Sequence, residues 1–212
     1  MAIVETKSVW VAVRRPGFLF SSWPWRATAY LLSSTPVGLT GLIAILTAFA
    51  VGGALTVVLV GVPVLLAALL SGVPMGVVER RRLRMVGHRA LRDPHEDPEE
   101  PGLGPWCRKR FSEGASWREL AYTLLFVTVL WPLDLLAVVF ALTVPVGLMA
   151  TPYMLAAYGG GESTMALKQW AVTSYPQAWA LAALGVLLLP VAAYALTVVA
   201  GARAGWARML LT

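Results

Sequence analysis

Asp134 is an acid standing alone inside a long apolar run, residues 120–150. An ionisable group at such a position is costly in a membrane and points to function. It could couple to protons, or pair with a tyrosine or threonine of another helix. If Pro132 opens the span instead, Asp134 falls in the first helical turn. There it would accept from free N–H groups and favour the positive end of the helix dipole. An internal repeat, set out below, favours that second reading.

Two further groups of residues could do chemistry. The tract Asp93-Pro94-His95-Glu96-Asp97-Pro98-Glu99-Glu100 has ligands for a divalent cation. Its prolines forbid regular i, i+4 spacing, and no second His or Cys lies close by, so it reads as a solvated linker, mobile over residues 93–105. The run Glu79-Arg80-Arg81-Arg82-Leu83-Arg84-Met85-Val86-Gly87-His88-Arg89 offers His88 as a phosphoryl acceptor. The run resembles the phosphoacceptor box of one class of histidine kinases, in which an acid that serves as base toward the imidazole stands where this chain has Arg89, and Gly87 is a poor helix residue. The plainer reading is a basic helix end on anionic headgroups, each arginine contributing on the order of 1 kcal/mol. The single cysteine, Cys107, carries no redox motif. With no nucleophile–base pair and no metal set, the expectation is that the chain is not an enzyme and takes no cofactor.

The elements that position these residues follow from composition. Of 212 residues, 58% are hydrophobic and only 13% charged, against about 25% charged in soluble domains. Apolar runs of about 20 residues span a hydrocarbon core. The expected fold is all-α and integral to the membrane, with four transmembrane helices arranged as two hairpins. Its parts are a cytoplasmic tail (1–24), a first hairpin (25–78), a cytoplasmic basic and acidic loop (79–118), a second hairpin (119–201) with an outer segment (151–177), and a cytoplasmic tail (202–212). Gly52-Gly53 predicts the first turn, and Pro63 and Pro74 predict kinks in the second span. In the outer segment, residues 159–164 could introduce a short helix running through Trp170, serving as a lid or a connecting cap. Gly72…Gly76 and Gly201…Gly205 have the spacing of close helix contacts.

Charge sets the expected orientation. Lys and Arg number four before the first span, ten in the central loop and two after the last span, against one, Lys168, in the outer segment. The positive-inside rule then puts both termini in the cytoplasm of a cell whose inner membrane holds the chain. The basic balance is thereby explained without nucleic acid.

The sequence also repeats itself. Trp25-Arg26-Ala27-Thr28-Ala29-Tyr30-Leu31-Leu32 returns as Trp117-Arg118-Glu119-Leu120-Ala121-Tyr122-Thr123-Leu124. Both copies start a hairpin at the same face, as in parallel-repeat transporters. Residues 25–34 and 117–130 could begin as short interfacial helices before Pro36 and Pro132 turn the chain inward. Trp25, Arg26, Trp117 and Arg118 are thus candidate functional residues, beside Glu79, Arg80, Arg82, Asp134 and Trp170.

These landmarks together resemble the Putative sensor domain, the four-span membrane domain of actinobacterial histidine kinases and of stand-alone sensor proteins. The resemblance is carried by W-R-x-x-A-Y with Pro36-Val37-Gly38, by residues 60–66, by the Glu79-Arg80…Arg82-Leu83 exit, and by Trp170-Ala171-Val172-Thr173 at the start of the fourth span. The run around His88 is itself similar to the phosphoacceptor box of one class of histidine kinases. The resemblance implies a sensory or regulatory module that signals to a cytoplasmic or membrane partner and lacks its own kinase. Expected partners are the lipid bilayer and a histidine kinase, response regulator or transporter of a two-component or transport system, or a second copy of the chain. The rival expectation is a small transport protein or permease accessory subunit, resting on Asp134 and the repeat.

Overall fold

The computed structural model describes residues 9–88, 91–96, 98, 101–158, 165–167 and 170–212. Arg89, residues 159–164, Lys168 and Gln169 lie outside that set, so the predicted helix at 159–164 is untested there. The described helices are α1 (Val9–Val13), α2 (Trp23–Leu55), α3 (Gly61–Leu69), α4 (Gly72–Arg82), α5 (Leu103–Ser112), α6 (Gly114–Leu125), α7 (Trp131–Met149), α8 (Thr151–Tyr158) and α9 (Tyr175–Leu211). A minimal antiparallel ribbon pairs β1 (Met165–Leu167) with β2 (Trp170–Ala171). That ribbon occupies the place where a helix through Trp170 was expected.

Four helical columns are long and apolar enough to cross a membrane: α2, residues 61–86 (α3 with α4), residues 114–149 (α6 with α7) and α9. Only 17–33% of each column's apolar window is buried. The remaining apolar surface needs lipid as its solvent, so the chain is an all-α, multi-pass membrane protein. At 1.5 Å per residue α2 and α9 are about 50 and 55 Å long, well beyond a hydrocarbon core of about 30 Å. The surplus overhangs at one end.

That end gathers the start of α2, the end of α4, the start of α6 and the end of α9. The largest cluster of buried residues lies there, built on Ala27, Tyr30, Leu83, Tyr122, Phe126 and Ala204. The helix α1 packs on α9, and the Phe18 ring lies 4.5 Å from that of Tyr194. The cytoplasmic tail expected at 202–212 continues α9 as far as Leu211, with Arg203, Ala204, Ala207 and Leu211 buried.

Several local expectations are corrected, each for a physical reason. The first hairpin does not turn at Gly52-Gly53. The helix α2 continues to Leu55, and the chain reverses through a 3-10 turn (Thr56–Val58) and Leu59, whose φ is 62°. Gly52 serves close packing instead, since a Cβ there would come within 2.9 Å of Leu65. Pro63 and Pro74 do not kink one helix. Each is the third residue of its own helix, where a missing N–H costs no bond, so the span is divided at Leu70-Ser71.

The segments 25–34 and 117–130 do not lie apart as interfacial helices. The helix α2 runs unbroken past Pro36, and α6 feeds α7 through a π turn, Phe126–Leu130. That turn is the helix's answer to Pro132. The N–H of Trp131 bonds the carbonyl of Phe126, and Pro132 has none to give, so the carbonyl of Val127 is freed. The indole of Trp131 donates back to that carbonyl at 2.9 Å.

Candidate functional site

The two copies of W-R-x-x-A-Y perform the same two tasks. Their arginines reach across to the far end of the hairpin each begins: Arg26 donates to the carbonyl of Arg84 at 3.0 Å, and Arg118 to a main-chain oxygen of Thr212 at 3.4 Å. A cation at a helix C-terminus satisfies a loose carbonyl and favours the dipole. Their tyrosines turn inward and are fully buried. Tyr30 donates to Glu79 Oε1 at 2.7 Å, and Tyr122 accepts from Arg203 at 3.2 Å. Trp25 and Trp117 stay on the outside.

From these tyrosines a buried ionic ring can be traced through all four columns. Glu79 and Arg82 sit three apart on α4 and form an ion pair. Arg82 also donates to the carbonyl of Tyr30 at 2.9 Å and to Ser33 and Ser34 on α2 at 3.0 and 2.6 Å. The Ser34 hydroxyl donates in turn to Asp134 Oδ2 on α7 at 2.7 Å. Arg203 of α9 faces the same oxygen from 3.4 Å without hydrogen-bond alignment, which makes the contact an ion pair only. Both guanidinium planes lie over rings: Arg82 over Tyr30 and Phe126, Arg203 over Tyr122 and Phe126. Two carboxylates and two guanidiniums thus balance within one buried space, as buried charges must.

Asp134 is therefore not a helix cap. The column continues N-terminally through α6, so its backbone donors are already engaged, and the carboxylate is turned to other helices. Arg203 is the loosest member. Its Nη2 is buried with no hydrogen-bond partner, and its Nε has only the ion pair.

A second, outer relay continues toward the polar segment. Arg80 pairs with Glu119 of α6, at the close crossing where Gly76 leaves room for the Glu119 carboxylate. His95 is clamped between carboxylates, Nε2 on Glu119 at 2.8 Å and Nδ1 on Glu113 at 2.7 Å. Arg110 binds Glu113, Arg80 reaches Asp93 at 3.5 Å, and Lys109 bonds Glu96. Burial alone would push the Glu113 carboxyl up, but the bonds from His95 and Arg110 outweigh it and hold it below its usual range. The segment expected as a mobile linker is thus docked at its start. Its described acids are spent on named bases, and His95 is nearly enclosed.

Of the predicted site residues, the structure brings Glu79, Arg80, Arg82 and Asp134 into this network. Arg26 and Arg118 are its end clasps. Trp170 lies on β2, away from the network, and its side chain falls outside the described residues. His88 does not lie on a helix face. The helix ends at Gly87, φ 80°, and the His88 N–H closes the terminus on the carbonyl of Leu83. Its imidazole is half-buried, and burial with Arg208 close by lowers its pKa from the ordinary value. Sequence reasoning missed Tyr30, Ser34, Tyr122, Glu119, His95 and Arg203 as site residues. The repeat held the signal for the two tyrosines, because Tyr occupies the same place in both copies; Glu119 stands opposite Ala27 and carries no such signal.

Fold and site together define a polytopic helical membrane domain whose spans are locked at one end by a shared ionic ring. The chain belongs to the sensor family described as Putative sensor, whose model matches residues 30–211. That stretch begins at Tyr30 and contains every member of the ring. No curated protein and no solved structure matches the chain.

Proposed function

We propose that this sensor domain converts a change in the packing of its spans into movement of its polar face, read there by a partner. The observation that carries the reading is the ring itself, in which Ser34, Glu79, Asp134 and Arg203 each come from a different span. A sensor needs two packings whose balance an input can shift. Interlocked ion pairs supply that property, because a small displacement of one span breaks bonds instead of stretching them. The outer relay from Arg80 through Glu119 to His95 connects the ring to residues 91–112. The domain is taken to be non-enzymatic, and the partner to be a kinase, response regulator or transporter, or a second copy of the chain. Both termini and the polar segment are placed in the cytoplasm, in line with the bias of Lys and Arg.

Cross-linking through Cys107 in native membranes tests this. The half-exposed thiol sits on α5, beside the relay. Trapping of a signalling partner or of a dimer, with a yield altered by Asp134→Asn, is the expected outcome. Recovery of monomer alone at native abundance would sink the reading. The same variant addresses the rival: proton- or ion-coupled flux in vesicles that disappears in Asp134→Asn would favour a transporter.

A further inference from the structure

We propose that the cavity between the first two spans binds a membrane-dissolved amphiphile, a hydrocarbon body with one hydrogen-bonding group, as in a fatty alcohol. The cavity measures about 450 Å³, within the range of roughly 300–1,000 Å³ that small-molecule sites occupy. Its walls are apolar: Val37, Gly41 and Ile45 on α2, Pro74 and Met75 on α4. Its rim includes Thr40, Ala44 and Val78, which are exposed on the lipid-facing surface, so entry is from the bilayer.

One feature of the lining argues against a plain hydrocarbon occupant. The Ser71 hydroxyl is buried in the wall with no hydrogen-bond partner. In this chain Thr28, Thr56, Thr123, Thr128 and Thr197 all donate to the carbonyl four residues back. Ser71 does not: it sits at the break between α3 and α4, where the backbone bonds tighten to i−3, Leu70 N–H to Ala67 and Ser71 N–H to Ala68. An unsatisfied hydroxyl in an apolar wall is costly, and a ligand hydroxyl or carboxyl would satisfy it. The tail of a bilayer lipid, whose head stays at the surface, would not.

The site also has a route to the ring. Met75 and Val78 share α4 with Glu79, Arg80 and Arg82, and Thr123 lies one turn from Glu119. An occupant that parts α4 from α2 strains the bonds from Tyr30 to Glu79 and from Arg82 to Ser34. This consequence rests on the sensor reading; the binding does not.

The test uses the full chain in phosphatidylcholine vesicles with two photoreactive probes, a long-chain alcohol and the matching hydrocarbon without its hydroxyl. The alcohol is expected to label residues 36–45 and 71–78 saturably. Ala44→Trp, which fills the cavity from its rim, should cut that labelling at least tenfold. Ser71→Ala, which barely changes volume, should weaken the alcohol about fivefold and leave the hydrocarbon unchanged. Labelling that does not saturate and spreads evenly over Leu39, Ile43 and Leu46 would overturn the site. Unchanged alcohol labelling in Ser71→Ala would overturn the assigned ligand class. No partner is needed for this measurement, so its failure is distinguishable from failure of the Cys107 cross-link.

Discussion

Glu79, Arg82, Asp134 and Arg203 are held away from water by a shell of aromatic rings and by one another. In such a space the partner, not the solvent, keeps each charge tolerable. Removing one partner leaves an uncompensated charge, which costs roughly 3–5 kcal/mol, whereas removing both can be nearly neutral. Arg203→Met is therefore expected to lower stability by about 3 kcal/mol. Asp134→Asn in the same background should recover part of that loss, with a coupling of roughly 0.5–3 kcal/mol. Thermal unfolding of the wild type, both single variants and the double variant in detergent measures it. Strict additivity would show that the 3.4 Å contact between Arg203 and Asp134 does not act as a pair.

At the scale of elements, the chain uses glycine and proline to set distances and breaks. The close crossing of α4 and α6 depends on Gly72, where a Cβ would meet the Leu120 backbone N at 2.5 Å. No side-chain adjustment relieves a clash with backbone, so Gly72→Ala should push the two helices apart and cost about 1–3 kcal/mol. Gly205 has nothing within 4 Å of a built Cβ, so Gly205→Ala should be neutral or stabilising by about 0.5–1 kcal/mol. Comparing the two unfolding temperatures checks both. The prolines are legible in the sequence as interruptions, but whether each kinks a helix or starts a new one depends on which carbonyl would lose its donor. Pro74 starts one, because the carbonyl of Leu70 finds Val73 N–H instead.

At the scale of the whole molecule, the polar segment and the bundle are one assembly whose joints titrate. Among the described residues, both shifted groups outside the spans are lowered. His88 resists protonation in the fold, so its contribution is full above the ordinary value of 6.5 and declines as pH falls below it. Glu113 contributes above its ordinary value of 4.5, and that contribution is lost as pH falls through its lower folded value. Acid should therefore loosen the polar end in two stages, seen as lower hydrogen-exchange protection of residues 83–96 relative to the intrinsic exchange rate at each pH. His88→Asn should remove the first stage only. Protection that stays flat between pH 7 and pH 4 would contradict the docking of this segment.

The sequence by itself determined the solvent, the fold class and the number of spans. Hydropathy is a local property, and a run of apolar residues has to be solvated by lipid wherever it folds. It also showed the repeat, because identity of residue type needs no structure to be seen. Only the tertiary structure decided what the repeat is for and which charges meet. Asp134 and Ser34 are 100 residues apart in the chain, and no periodicity connects them. Arg203 reads as an ordinary flanking cation because hydropathy falls after Ala200, yet α9 carries it back into the bundle against Tyr122. His95 reads as part of a solvated linker because prolines surround it, yet Glu113 and Glu119 close over both its nitrogens. A buried charge needs a partner, and in this chain the partners come from other helices.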